Sequence, residues 1–250
     1  LSVISYSGTI KDAAGNIAAA ISNGDLGAVI IDANSPILQS VNAINGTYKV
    51  GDQIDITVTY NQIVVGTASG LTLSNGATAS YKSGSGNTAM VYTYTVAEGD
   101  NNSPDLSVSS YTGIIGDSAG NMAYQASGDL GAVIIDGNSP ALVSVTAADD
   151  TYKVGDQIPI TVTWDEAVVI GTGSYGPTLT LSNSASAAYT SGTGTTVLVF
   201  TYTVAEGHGN TQNLTVNGYT GTIKDAAGNT ADEVIGSLGA VVIDANSPAF

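Results

Sequence analysis

An internal repeat constrains this chain more than any other feature. "TYKVGDQI" occurs at Thr47–Ile54 and Thr151–Ile158, "TYTVAEG" at Thr93–Gly99 and Thr201–Gly207, and "KDAAGN" at Lys11–Asn16 and Lys224–Asn229, with "GDSAGN" at Gly116–Asn121. The prolines of three Ser-Pro pairs, Pro36, Pro140 and Pro248, lie 104 and 108 residues apart, so each repeat has the size of a small domain. The four-residue difference falls between Val169 and Leu179, where an insertion sits most easily in a surface loop. Aligning the copies divides the chain into the last third of a preceding module at 1–34, full modules at 35–138 and 139–246, and the start of a further one at 247–250. The first piece lacks counterparts of Gln39–Asp105. It is expected to draw its missing strands from upstream chain or from a neighbouring molecule, because an isolated strand pair is not stable in water.

Within a module the apolar residues recur with period two. Ile54, Ile56, Val58 and Tyr60 share one face of their segment, as do Ile158, Ile160, Val162 and Trp164 in the next copy. Met90, Tyr92, Tyr94 and Val96 alternate in the same way and become Leu198, Phe200, Tyr202 and Val204, the volume-conserving exchanges that a packed core accepts. Pro159 falls near a strand start on the outward face. Strands are predicted at about 37–44, 54–60, 63–73, 77–82, 88–96, 105–110 and 131–136. The Ala-rich Ala18–Ser22 is too short for a helix. The expected fold is all-β: tandem seven-stranded immunoglobulin-like β-sandwiches stacked end to end, without a disulfide.

Charge narrows the class of partner. Twenty-one acids face five lysines and no arginine, for a net charge of −16. Nucleic acid and anionic membranes both require a basic surface, so neither is expected, whereas cations are favoured. With no cysteine, thiolate chemistry and cysteine-based zinc sites are excluded. No apolar run reaches the roughly 20 residues that span a bilayer, so direct membrane insertion is not expected.

The ordered set "TYKVGDQIDITVTY", "SGSGNTAMVYTYTVAEGD", "IKDAAGN" and "VIIDANSP" resembles the bacterial immunoglobulin-like repeats found in tandem in large secreted adhesins, biofilm proteins and surface filaments. The resemblance covers essentially the whole chain. It implies a stalk or extender exported to the cell surface, with neighbouring copies of the same module as partners and with calcium stiffening the joints.

Residue chemistry supplies its own reading of those joints. In a sandwich whose first strand starts at one pole and whose last ends at the other, one junction would gather Asp52, Glu98, Asp100, Asp136 and Asn138 from one module and Asp225 and Asn229 from the next. Their equivalents are Asp32, Asn34, Asp117 and Asn121 at the preceding joint, and Asp156, Glu206, Asp244 and Asn246 at the following one. Hard oxygen ligands without His or Cys suit calcium, which takes six to eight oxygens at roughly 2.3–2.6 Å. A divalent ion would convert repulsion between carboxylates into a clamp. Between copies Asp52, Glu98, Asp117 and Asp136 keep their acids, whereas Asp55 becomes Pro159, Asp100 becomes His208, Asp105 becomes Asn213 and Asp129 becomes Ser237. Asp and Asn in "DAAGN" and "DANSP" are equally good turn formers, so turn chemistry alone is the competing account.

Catalysis finds little support. His208 is the only histidine, and no second group recurs beside it. Asp165–Glu166 offers a carboxylate pair, but the other copy reads Asn61–Gln62. "SGSGN" and "SGTGT" lack the Lys and helix of a phosphate loop and read as hairpin turns. Among the tyrosines, Tyr60, Tyr92 and Tyr94 read as core, Tyr48 and Tyr152 as packing beside the joint, and Tyr6, Tyr111 and Tyr219 as structural, while Tyr124 and Tyr175 are unrepeated. Lys49 and Lys153, beside a Gly-Asp turn, are poorly placed for a Lys–Asn crosslink, and sheet propensity explains Thr57, Thr59, Thr93 and Thr95. The chain therefore reads as a non-catalytic extracellular stalk or filament segment. The alternatives are a carbohydrate- or ligand-binding adhesin module, or a polymer subunit making lateral or strand-exchange contacts with identical chains.

Overall fold

The computed structural model describes residues 2–4, 7–19, 24–25, 27–66, 70–171 and 176–247. The expectations for Tyr6, Tyr175, most of Ala18–Ser22 and the middle of the Val169–Leu179 insertion fall outside these. All regular structure among the described residues is β.

The long strand Gln53–Gly66 organises the first module. It pairs antiparallel with Leu38–Asn42 on one side and Asn87–Thr95 on the other. Asn87–Thr95 continues to Thr78–Ser83, then Gly70–Leu73, Ser107–Thr112 and Gly128–Asp129. Gly46–Lys49 leaves this sheet and pairs in parallel with the last strand, Val133–Asp136. The second module repeats the scheme, with Gln157–Ile170 as the long strand and Asp150–Lys153 parallel to Val241–Asp244. The chain is thus all-β, with immunoglobulin-like sandwich modules in tandem. A fragment precedes them, in which Ser2–Val3 pairs with Gly24–Asp25.

Two strand expectations need correction. The segment 37–44 ends as a strand at Asn42, and pairing resumes at Gly46 with a different partner. The separate strands at 54–60 and 63–73 are instead one strand to Gly66, with a register shift between Thr59 and Val64, followed by Gly70–Leu73. Polar Asn61–Gln62 resembles a break in sequence, yet its side chains turn outward and bind the preceding linker while the backbone stays extended.

The cores follow the period of two. Ile54, Ile56, Val58, Tyr60, Met90, Tyr92, Tyr94 and Val96 are all buried in the first module, as are their eight counterparts in the second. An edge-to-face ring pair, Tyr81 on Tyr92 at 5.8 Å, recurs as Tyr189 on Phe200 at 5.9 Å. Buried side chains form two separate sets, 41–135 and 145–245. The hairpins before Asn87 and Thr195 depend on Gly84 and Gly192, with φ of +111° and +110°, where a Cβ would also run into the carbonyls of Ala89 and Val197. Tyr111 and Tyr219 donate their hydroxyls to the carbonyls of Ala123 and Ala231, which pins the chain segment leading to the next strand. Tyr48 and Tyr152 pack against the core of their own module, and their hydroxyls donate to Ile44 O and Ala148 O.

Candidate intermodule joint

The last strand of the first module runs out through Gly137, Asn138, Ser139 and Pro140, and the next strand begins at Leu142. Several polar groups of this linker are captured by side chains around it. Asp136 Oδ1 accepts the Asn138 N–H at 3.4 Å, as Asp32 accepts from Asn34 at 3.0 Å and Asp244 from Asn246 at 3.4 Å; these are Asx turns. Glu98 takes both the Ser139 N–H at 2.9 Å and its hydroxyl at 2.7 Å, and Glu206 treats Ser247 likewise at 3.1 and 2.6 Å. Past the proline, Ala141 donates to Asp165 Oδ1 at 2.8 Å, and Ile37 to Asn61 Oδ1 at 2.8 Å.

The next module grips this linker with the loop Asp225–Asn229. Asp225 Oδ1 accepts the N–H groups of Gly228 and Asn229 at 2.6 and 2.9 Å, and its Oδ2 accepts Asn229 Nδ2 at 2.7 Å. Asn229 Nδ2 also lies 3.2 Å from the Asp136 carbonyl and 3.1 Å from that of Asn138, so its two hydrogens are shared among three acceptors. Its Oδ1 accepts the Val50 N–H of the first module at 2.8 Å. One side chain thus ties together both modules and the linker, and it is only 3% exposed. At the preceding joint Asn121 Nδ2 donates to the Asp32 carbonyl at 3.1 Å and to Asp117 Oδ2 at 2.8 Å.

Among the acids predicted for the joint, the structure brings Asp136 and Asp225 together and adds Glu166, with one carboxylate oxygen of each within 4.8 Å of the others. Burial, followed by the charges of Asp136 and Asp225, pushes the Glu166 carboxyl up to about 7. All three supply hard oxygens, a donor set that fits a divalent cation such as calcium. The remaining acids are engaged elsewhere. Asp52 and Asp156 cap their own turns by accepting the N–H groups of Lys49 and Lys153 at 3.0 and 2.9 Å. Asp100 accepts the Tyr94 hydroxyl at 2.7 Å and the Ala97 N–H at 2.8 Å. His208 Nδ1 occupies the same place, against Tyr202 Oη at 2.9 Å and Ala205 N at 3.1 Å, which explains the exchange of Asp for His. Hydrogen bonds from Asn16 and Asn121 hold the Asp12 and Asp117 carboxyls below the ordinary carboxylate value, as expected for closed Asx loops. Asn138 serves through its carbonyl, while its side chain donates to Asn102 at 3.1 Å. Asp244 also accepts from Asn210 at 3.2 Å.

Sequence reasoning passed over Glu166 because its acid is not repeated. A usable signal was present: Asp165–Glu166 replaces Asn61–Gln62 amide for acid, and the first member of each pair performs the same task on the linker.

The three Ile-Asp-x-Asn-Ser-Pro stretches, beginning at Ile31, Ile135 and Ile243, differ at one residue, Gly137 against Ala33 and Ala245. A Cβ on Gly137 would lie 2.6 Å from the Asp100 carbonyl oxygen and 2.9 Å from its Cβ. In the second module Ala245 is fully buried beside the loop that carries His208, and the bond from Gly207 N to Ala245 O is 3.2 Å, against 2.8 Å from Gly99 N to Gly137 O. Gly137→Ala should therefore cost the first module about 1–3 kcal/mol by overpacking, read as a lower denaturation midpoint. Ala245→Gly should not produce a matching gain in the second.

No family model and no curated protein matches the chain. Solved structures similar to it include the Escherichia coli adhesin FdeC, at 20% identity over 91% of this chain and 70% of that one, with a TM-score of 0.38. A titin I-band fragment is similar at 8% identity, covering 85% of this chain and 66% of its own, also with a TM-score of 0.38. The titin domains Z1Z2 in complex with telethonin match at 12% identity over 85% and 97% of the two chains, with a TM-score of 0.27.

Proposed function

We propose that the chain is a non-catalytic structural segment, a stretch of tandem modules that extends a surface-exposed stalk, adhesin or filament outside the cell. The observation that carries this reading is the Asn229 side chain, which bonds the body of one module, the linker and the loop of the next at once. A chain of domains joined only by covalent linker has no use for such a contact. The recurrence of Asn121 at the preceding joint supports a repeated device. His208, the single histidine, serves as a loop acceptor beside Tyr202, a structural task.

Partners in this reading are copies of the same module. In the leading fragment Ile10, Val29 and Ile31 are 54%, 45% and 69% exposed, whereas their counterparts Ile115, Val133 and Ile135 are buried against the strands that the fragment lacks. Strands equivalent to Leu38–Thr95 on another copy of the module are the matching cover.

Calcium at Asp136, Glu166 and Asp225 would stiffen the second joint further. Thermal unfolding and small-angle scattering with calcium, with magnesium and with chelator test this. Calcium is expected to raise the melting temperature and lengthen the particle; an unchanged profile in all three conditions would leave these acids as turn chemistry alone. The proton gives an independent readout. In the closed joint Glu166 keeps its proton to about 7, against an ordinary value of 4.5. Opening the joint takes the Asp136 and Glu98 charges away and leaves those of Asp225 and Asp165, which share a module with Glu166. Closure is therefore favoured while Glu166 is protonated and weakens as pH rises through about 7. In chelator the joint should be tighter at pH 5 than at pH 8, and bound calcium should abolish that difference.

A further inference from the structure

The two joints use different chemistry at one shared position. At the first, Gln62 Nε2 donates to the Asn34 carbonyl of the linker at 3.1 Å and to Asp117 Oδ2 of the gripping loop at 3.2 Å. The equivalent residue at the second joint is Glu166, which faces Asp136 and Asp225 and makes no such bridge among the described residues.

We propose that Gln62 is a positioning residue, a neutral clasp that locks the first joint, and that its replacement by Glu166 deprives the second joint of that clasp. This rests on the reading of the chain as a jointed stalk and specifies how stiffness is distributed along it. The argument is one of hydrogen-bond supply. A linker carbonyl and a loop carboxylate are both acceptors, and two acceptors are joined only by a donor placed between them. A primary amide has two N–H groups and carries no charge, so it serves both without adding repulsion. A carboxylate in the same place offers acceptors to acceptors and a third negative charge to two existing ones. At the second joint Asn229 partly compensates by taking over the Asn138 carbonyl, whereas Asn121 at the first reaches only the Asp32 carbonyl and Asp117. The neighbouring position has no such divergence, since Asn61 and Asp165 both need only to accept one N–H. The acid-for-amide exchange is therefore silent at one position and consequential at the next.

The test uses the full chain, whose lack of cysteine allows spin-label pairs to be placed at will. One pair, at exposed Ala33 in the linker and Ser80, reports docking of the linker at the first joint; a second, at exposed Ser80 and Ala188, spans the second. Distance distributions are measured at pH 8 in chelator for the wild type, Gln62→Glu, Gln62→Ala, Glu166→Gln and the double exchange Gln62→Glu with Glu166→Gln. Each joint is compared with its own variant, since the second also has the Val50 contact. The closed-to-open ratio of the first joint should fall about tenfold in Gln62→Glu and by less in Gln62→Ala, and that of the second should rise about tenfold in Glu166→Gln, the size expected for one hydrogen bond to a charged acceptor. Unaltered melting of the first module shows that Gln62→Ala still folds. Narrow distributions at both joints that no exchange alters would overturn the clasp and leave the stalk reading intact. Broad distributions at both joints in every variant would overturn the stalk reading and the clasp with it.

Discussion

Asn229→Ala is expected to uncouple the second full module from the first. The substitution removes the donor shared by the Asp136 and Asn138 carbonyls and the acceptor for Val50 N–H, and it strips Asp225 Oδ2 of its partner. Asp225 is 2% exposed, so the loss leaves its Oδ2 away from water without a donor, while Oδ1 keeps the two backbone N–H groups of the loop. Breaking such a network costs about 3 kcal/mol, shared between the stability of the second module and closure of the joint. Scattering should show a broader distribution of long distances, and calorimetry a lower second transition. Asn229→Asp should be at least as damaging, because it keeps the volume, loses both N–H donors and adds a charge beside Asp225. Asn121→Ala, which removes fewer bonds, should have a smaller effect at the first joint. If Asn229→Ala leaves both the scattering and the second transition at their wild-type values, the contact does not hold the modules together.

The second large effect concerns the core position filled by Tyr60 in one module and Trp164 in the other. Both are 1% exposed, and both have a polar atom, Tyr60 Oη and Trp164 Nε1, that finds no partner among the described residues. Burial drives the Tyr60 hydroxyl far above its ordinary value of 10.0, so it remains neutral throughout any working pH. Trp164→Ala removes the largest fully buried side chain and should cost the second module about 3–5 kcal/mol. For a domain of this size that is a fall of roughly 15 °C or more in its melting temperature. The first module, whose core is a separate set, should melt as before. Tyr60→Phe removes the unpartnered hydroxyl and keeps the ring, so it should stabilise the first module by about 1 kcal/mol. A destabilised Tyr60→Phe would mean that the hydroxyl has a partner, such as a buried water. A shift of both transitions in Trp164→Ala would show that the modules unfold as one unit.

Much of the fold was legible because strand periodicity is a local property. Every second residue of "IDITVTY" and "AMVYTYTV" had to face inward once one side was apolar, and all eight positions are buried. The strand boundaries at 60–63 were misread because Asn61 and Gln62 look like a turn to any local rule. Their amides are instead satisfied by linker atoms 24 and 28 residues away. The exchange of Asp100 for His208 looked like evidence about ligation, and it is an exchange of one loop acceptor for another.

By itself the sequence determined the module, its period, its all-β class and the residues of its core, because a repeat of 104 residues with alternating apolar positions leaves few other ways to bury them. It also marked the Asp-x-Asn-Ser-Pro stretch as the meeting point of modules. Only the tertiary structure decided which acids meet there. Asp52 and Asp100 bond within their own turn and loop, Glu98 holds the linker serine, and Asp136, Glu166 and Asp225 converge from segments far apart in the chain. A carboxylate takes whichever donor lies nearest in space, and the order of residues does not reveal that distance until the strands are paired.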